Sequence, residues 1–168
     1  KVIEGAEDDL PDWIQERRVD IGFLSHQEGH HYQFLPVMDD ELFAVLPKGH
    51  PLEEYDAIPM KKFSGAPFVT TEYAPGSDIY RILKEFQLKP DIRFLSINEF
   101  SVLSMVEHGL GITILPGLLL RGHSGNFVKR RLEPRSFRRL GLGYSSYDDL
   151  SPASRIFLEY AKSFLLDD

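Results

Sequence analysis

The chain has 168 residues, 42% of them hydrophobic and 27% charged, with a formal net charge of −7. That composition is globular rather than disordered, and the negative balance argues against a surface built to grip nucleic-acid phosphates. With no cysteine, disulfides, thiolate metal sites and thiol nucleophiles are excluded, and the expected compartment is the reducing cytoplasm.

No apolar run approaches the ~20 residues that a bilayer-spanning helix needs. Lys1-Val2-Ile3-Glu4-Gly5 then turns acidic, which is wrong for a secretory signal. Because Lys1 leads straight into strand-like sequence, the chain is expected to be an excised fragment.

Residues 2–4 read as a short strand. Asp9 is placed to cap a helix that tolerates Pro11 in its first turn and turns Leu10, Trp13 and Ile14 to one face. Residues 18–24, rich in apolar and β-branched side chains, follow as a strand buried on both sides. Strand, helix and strand make a βαβ unit, which predicts parallel pairing and a right-handed crossover. Residues 32–38 and 41–47 are two further strands joined at Asp39-Asp40, and Pro47-Lys48-Gly49-His50-Pro51-Leu52 breaks the pattern as a turn.

A short helix is expected over Met60–Phe63, a strand over Pro67–Thr71 and a loop at Tyr73-Ala74-Pro75-Gly76. Ser77 can cap a helix carrying Ile79, Ile82, Leu83 and Phe86 inward. After a strand at 91–97, Asn98 caps a helix with Phe100, Leu103 and Val106 facing in, ending at His108-Gly109. Residues 112–115 are a short buried strand; 127–128 and 140–144 are later strand candidates. Ser151-Pro152 opens a final helix with Ile156, Phe157, Tyr160 and Phe164 on its buried side. There is no internal repeat. The alternation calls for an α/β fold, a mainly parallel sheet with helices on both faces.

Four stretches, in order, resemble the effector-binding domain of LysR-type transcriptional regulators. They are Glu4-Gly5 with the helix and Arg18-Val19-Asp20-Ile21-Gly22; Pro47 to Leu52 with its His50-Pro51 turn; Gly109-Leu110-Gly111-Ile112-Thr113-Ile114-Leu115-Pro116; and Ser151-Pro152-Ala153. The resemblance covers nearly the whole chain. It implies a fold similar to type 2 periplasmic binding proteins: two α/β lobes joined by two crossover strands, with a small effector, often an organic acid, in the cleft. The crossovers are then expected near Thr70-Thr71 and near residues 138–140. Lobe one is 1–71 plus 140–168, lacking its first strand and helix, and lobe two is 72–139. The family's winged helix-turn-helix is absent from this chain, so contact with DNA is expected only through a domain outside it. A homodimer or higher homo-oligomer is implied, with no membrane and no cofactor.

The effector wall that the resemblance implies maps onto Leu24, Ser25 and His26; onto Thr70, Thr71 and Tyr73; and onto Asn98, Phe100 and Ser101. The logic is physical as well: a helix N-terminus favours a carboxylate, and Ser and Thr hydroxyls add neutral, directional contacts. Glu72 would repel an anion.

Other constellations have plainer explanations. His26, His30 and His31 have metal-ligand side chains but sit in loop-like sequence with no H-E-x-x-H, so a solvated loop is expected. Gly122-His123-Ser124-Gly125 lacks the spacing of a nucleophile elbow, and Gly109 with Gly111 follows a helix and precedes a strand, opposite to a dinucleotide fingerprint. Lys129, Arg130, Arg131, Arg135, Arg138 and Arg139 read as exposed strand and turn positions rather than a phosphate-binding face. The leading expectation is therefore an effector sensor and not an enzyme. The rivals are a transport-type solute-binding protein and a two-lobed enzyme such as a prephenate dehydratase, whose Thr-Arg-Phe motif is missing here.

Overall fold

The computed structural model describes residues 1–5, 9–27, 29, 31–71 and 77–166. In chain order the elements are α1 (Leu10–Gln15), β1 (Gly22–Ser25), β2 (Gln33–Pro47), β3 (Ala57–Pro59) and β4 (Pro67–Thr71). There follow α2 (Asp78–Glu85), β5 (Asp91–Ser96), α3 (Glu99–Glu107), β6 (Thr113–Pro116), α4 (Gly117–Leu120), β7 (Phe127–Tyr144) and α5 (Pro152–Leu166). Single 3-10 turns at Pro51–Glu54 and Met60–Phe63 fill the places expected for a turn and a short helix.

The fold is α/β, in two compact units. Unit 1 is Lys1–Asp39 with Arg139–Asp168, and unit 2 is Asp40–Arg138. The chain therefore passes from one unit to the other at Asp39/Asp40 and returns at Arg138/Arg139. Thr71, near which the sequence reading expects one crossover, lies inside unit 2.

Both passages run through long strands rather than loops. The two strands expected at 32–38 and 41–47 are one strand, β2, and the acidic pair read as a joint lies in its middle. Likewise 127–128 and 140–144 are ends of one strand, β7, with a cis Glu133–Pro134 bond inside it. The polar interruptions persist in strand because each has a partner. Asp39, Asp40 and Glu41 on β2 face Arg139, Arg138 and Arg135 on the neighbouring β7 at 2.9, 3.0 and 2.7 Å.

Pairing is less parallel than the alternation predicts. In unit 1, β1 runs antiparallel to the end of β7, Gly22 opposite Gly143 and Ser25 opposite Leu140. The strand–helix–strand stretch at the start thus makes no parallel unit, and residues 2–4 are not a strand. In unit 2, β2 and β6 are antiparallel, while β3 with β7 and β4 with β5 are parallel.

The core of unit 1 joins Leu142 and Tyr144 of β7 to Leu150 and Leu158, with Leu35, Val37 and Ala161 against them. This corrects the reading of α5. Leu158 and Ala161 are its packed positions, whereas Ile156, Phe157, Tyr160 and Phe164, expected inside, are 72, 53, 70 and 65% exposed. Unit 2 has two clusters. One gathers Leu42, Leu46, Ile58, Phe63, Phe68, Ile82, Ile112 and Leu132, with Ile79, Leu83 and Phe86 of the α2 region against it as the spacing predicts. The other packs Val45 and Leu115 under Val102, Leu103 and Val106 of α3. Full burial of each such side chain contributes about 1.5–3 kcal/mol.

Two local features shape the packing of unit 2. Ser77 and Asn98 cap α2 and α3 through their side-chain oxygens, as read from sequence. Gly111 lets the entry to β6 approach β4: a Cβ there would stand 2.9 Å from the Pro67 carbonyl oxygen, the atom that accepts the Ile112 N–H.

Candidate functional site

Because β4 and β5 are parallel, their carboxyl ends lie side by side, Thr71 opposite Ser96. In open α/β folds this is where ligands gather, outside the ends of parallel strands and at the start of the following helix. The short link from β5 to α3 is shaped by its polar residues. Ser96 Oγ accepts the Asn98 N–H at 3.2 Å, and Asn98 Oδ1 accepts those of Phe100 and Ser101 at 2.8 and 3.3 Å. The expected residues Thr71, Asn98, Phe100 and Ser101 are thereby brought to one end of unit 2. The cap also occupies two of the amides that a carboxylate would otherwise meet.

The remaining members differ in access. Thr71 is half-buried and Ser101 exposed, whereas Thr70 is 1% exposed and belongs to the interior. Phe100 does not point into the core as the helical spacing predicts. It is 51% exposed, with its ring 5.1 Å from that of His123. Tyr73, and Glu72 beside it, lie outside the described residues.

Sequence reasoning passed over Glu99, which begins α3 between two expected contacts. It is half-buried, and its side chain makes no hydrogen bond or ion pair among the described residues. Burial pushes its carboxyl up from the usual range; Arg138 opposes this, while Asp78 and Asp40 add to it. Arg138 itself is committed to Asp40 at 3.0 Å, and Asp40 Oδ1 also accepts the Leu118 N–H at 3.0 Å. The only sequence sign of this group was an acid in the first turn of a helix, which is common enough to carry no message.

In unit 1, Leu24 and Ser25 are buried at 3 and 4% exposure and His26, just past β1, is exposed. The His26 N–H donates to the Arg139 carbonyl at 2.8 Å, and its ring meets that of Phe34 edge-on at 4.8 Å. Phe34 was not anticipated. Its ring lies against the backbone of Gly141, where any Cβ would overlap it, so the glycine makes the aromatic position possible. His30 lies outside the described residues, and no group of three His, Asp or Glu among the described residues could hold a metal ion.

The basic segment of β7 is neutralised in place. Arg130 pairs with Glu53, Arg131 and Arg135 with Glu41, Arg138 with Asp40 and Arg139 with Asp39. Lys129 lies over the Phe43 ring at 5.2 Å. None of the described helices is long and apolar enough to cross a membrane.

Comparison with known proteins places these observations. The family described as the LysR substrate binding domain matches residues 1–165. Among curated proteins, the HTH-type transcriptional regulator YvbU of Bacillus subtilis (strain 168) is 27% identical over 164 residues, 95% of this chain and 55% of YvbU. The chain thus spans about half the length of the curated relatives it matches. Among solved structures, the Synechocystis PCC6803 CcmR regulatory domain in complex with 2-PG superposes with a TM-score of 0.82 at 17% identity. That match covers 95% of this chain and 79% of the other. The effector-binding domain of QuiR in complex with shikimate gives 0.82 at 23% identity, covering 97 and 79%. At such identities the likeness is one of fold.

Proposed function

Since the chain belongs to the LysR substrate binding domain family, we propose that it is the effector-sensing part of a LysR-type transcriptional regulator, which meets a small organic acid in unit 2 at the ends of β4 and β5 and the start of α3. The observation that carries this reading is the convergence of Thr71, Asn98 and Ser101 through parallel pairing and a capped helix start. The Thr71 and Ser101 hydroxyls suit a carboxylate, and the Glu99 carboxyl suits a hydroxyl or amine donor on the same ligand. On unit 1, His26 with the Phe34 ring beside it is a separate surface of its own, backed by the buried Leu24 and Ser25. Acids of this kind are bound by similar folds: the QuiR domain holds shikimate.

Sensing requires that the effector bind one arrangement of the protein better than another. In the parent protein that preference is passed to DNA-binding domains outside these residues, in a homodimer or larger homo-oligomer in the cytoplasm, without catalysis. Thermal denaturation against a panel of hydroxylated organic acids, shikimate among them, tests the proposal. A binding acid at one hundred times its Kd should stabilise the chain by about 2.7 kcal/mol. Thr71→Val and Ser101→Ala should each remove most of that gain while changing ligand-free stability by about 0.5 kcal/mol or less. Stabilisation that survives both substitutions would overturn the site. Chemical consumption of the stabilising acid would overturn the sensor in favour of an enzyme.

A further inference from the structure

Within unit 2, the link from β2 to β3 is held by a histidine whose bonding depends on its charge. His50 stands in extended backbone just before the 3-10 turn Pro51–Glu54 and caps it, its Nδ1 accepting the Leu52 N–H at 3.2 Å. The usual capping residues, Asn, Asp, Ser and Thr, offer an oxygen that accepts throughout the neutral range. A ring nitrogen accepts only while it carries no proton; the imidazolium donates from both sides and has no acceptor left.

The turn fastens more than itself. Leu52 and Tyr55 pack against the apolar cluster that contains Leu46, Ile58 and Phe63. The Glu53 carbonyl accepts Arg130 Nε and Nη2 from β7 at 3.3 and 3.1 Å. The Lys48 N–H donates to the Asn126 carbonyl at 3.3 Å, and the Asn126 N–H donates to Glu107 of α3 at 3.0 Å. The charged groups around the ring are otherwise engaged or exposed. Glu53 Oε2 accepts the Gly49 N–H at 2.8 Å, and its Oε1 lies 3.8 Å from Arg130. Lys62 lies over the Tyr55 ring and Lys129 over that of Phe43, while Lys48, Glu54 and Asp56 are exposed.

We propose that His50 makes this turn a pH-sensitive clasp of unit 2, closed over Leu52 and Tyr55 while the imidazole is neutral and released when it takes a proton. Protonation sets Nδ1–H against the Leu52 N–H, two donors with no acceptor between them. The sign follows from the half-buried ring, which burial pushes down from the ordinary histidine value of about 6.5. The folded turn refuses a proton that the unfolded chain accepts. Its hold is therefore complete above about pH 6.5 and lost as pH falls through the lower, folded value. The clasp stands apart from the proposed effector site and is read without any ligand.

Amide hydrogen exchange of the whole chain, followed by NMR from about pH 8 to about pH 5, where histidine titrates, tests this. Corrected for the intrinsic rate at each pH, protection of the Leu52 N–H should fall about threefold to tenfold, the worth of one net hydrogen bond. The fall should share its midpoint with the His50 ring signals. The Phe86 and Ile112 N–H groups, bonded to the Ile82 and Pro67 carbonyls, should keep their protection. His50→Asn, which caps with an oxygen, should hold Leu52 protected across the range, and His50→Ala should leave it weak at both ends. The proposal is overturned if Leu52 protection is flat in the parent, if His50→Asn retains the same loss, if His50→Ala behaves as the parent, or if Phe86 and Ile112 lose protection in step with Leu52.

Discussion

Thr113 begins β6 opposite Val45 of β2, is 0% exposed, and has an Oγ1 without a hydrogen-bond partner among the described residues. Strand alternation explains its surroundings. Ile112 and Ile114 belong to one apolar cluster and Leu115 to the other, so Thr113 shares the face of Leu115, towards Val45 and α3. A hydroxyl enclosed there has lost water and gained nothing, at a penalty of about 1–3 kcal/mol. Thr113→Val puts a methyl group in the same space, keeps the β-branched shape, and should raise stability by about 1–2 kcal/mol. For a chain of this size that is a rise in melting temperature of about 2–8 °C. Thr113→Ser is the paired control: it retains the hydroxyl, removes a buried methyl, and should lose about 1 kcal/mol. Urea denaturation of the three proteins measures both changes. Since most core substitutions destabilise, equal or lower stability in Thr113→Val would refute the argument and show that the hydroxyl is bonded in solution.

Two further substitutions probe the same unit. Gly111→Ala should lose about 1–3 kcal/mol in the same assay, because its Cβ would stand 2.9 Å from the Pro67 oxygen that already receives the Ile112 N–H; retained stability would mean that β4 and β6 separate easily. For Glu99, burial holds the folded-state carboxyl above its ordinary range. The folded chain therefore keeps the proton longer than the unfolded one, and stability falls as pH rises through that window. Glu99→Gln should then be the more stable protein near pH 7, by a margin that vanishes at about pH 3.5, where both states are protonated. A variant less stable than the parent at pH 7 would show that attraction to Arg138 outweighs burial.

Local signals in this sequence proved the most readable. Ser77 and Asn98 cap their helices because a cap depends on three or four consecutive residues. The long strands were obscured for the opposite reason. Asp39-Asp40 looks like a joint until Arg138 and Arg139, the length of unit 2 away in sequence, are placed beside it, and those arginines look like a solvated run for want of the same information. In α5 the periodicity offers two apolar sides, and nothing local says that Leu158 and Ala161 rather than Ile156 and Tyr160 meet the core. For the site, Thr71 and Ser101 could be named from the resemblance, and the parallel β4–β5 pairing supplies the geometry that brings them to one end of unit 2. Glu99 could not be found this way, because its character comes from burial beside Asp40, Asp78 and Arg138, each on a different element.

The pairing of β1 with the far end of β7 has a consequence for the order in which the protein is made. Gly22 must wait for Gly143, so an emerging chain exposes β1 while every residue of unit 2 is synthesised. Unit 2 is continuous, and its apolar clusters are complete by Leu132. It has what it needs to fold before the last stretch leaves the ribosome, and long-range closure is the slower event in any case. Unit 1 would then assemble last, its two halves gathered by strands that unit 2 has already fixed.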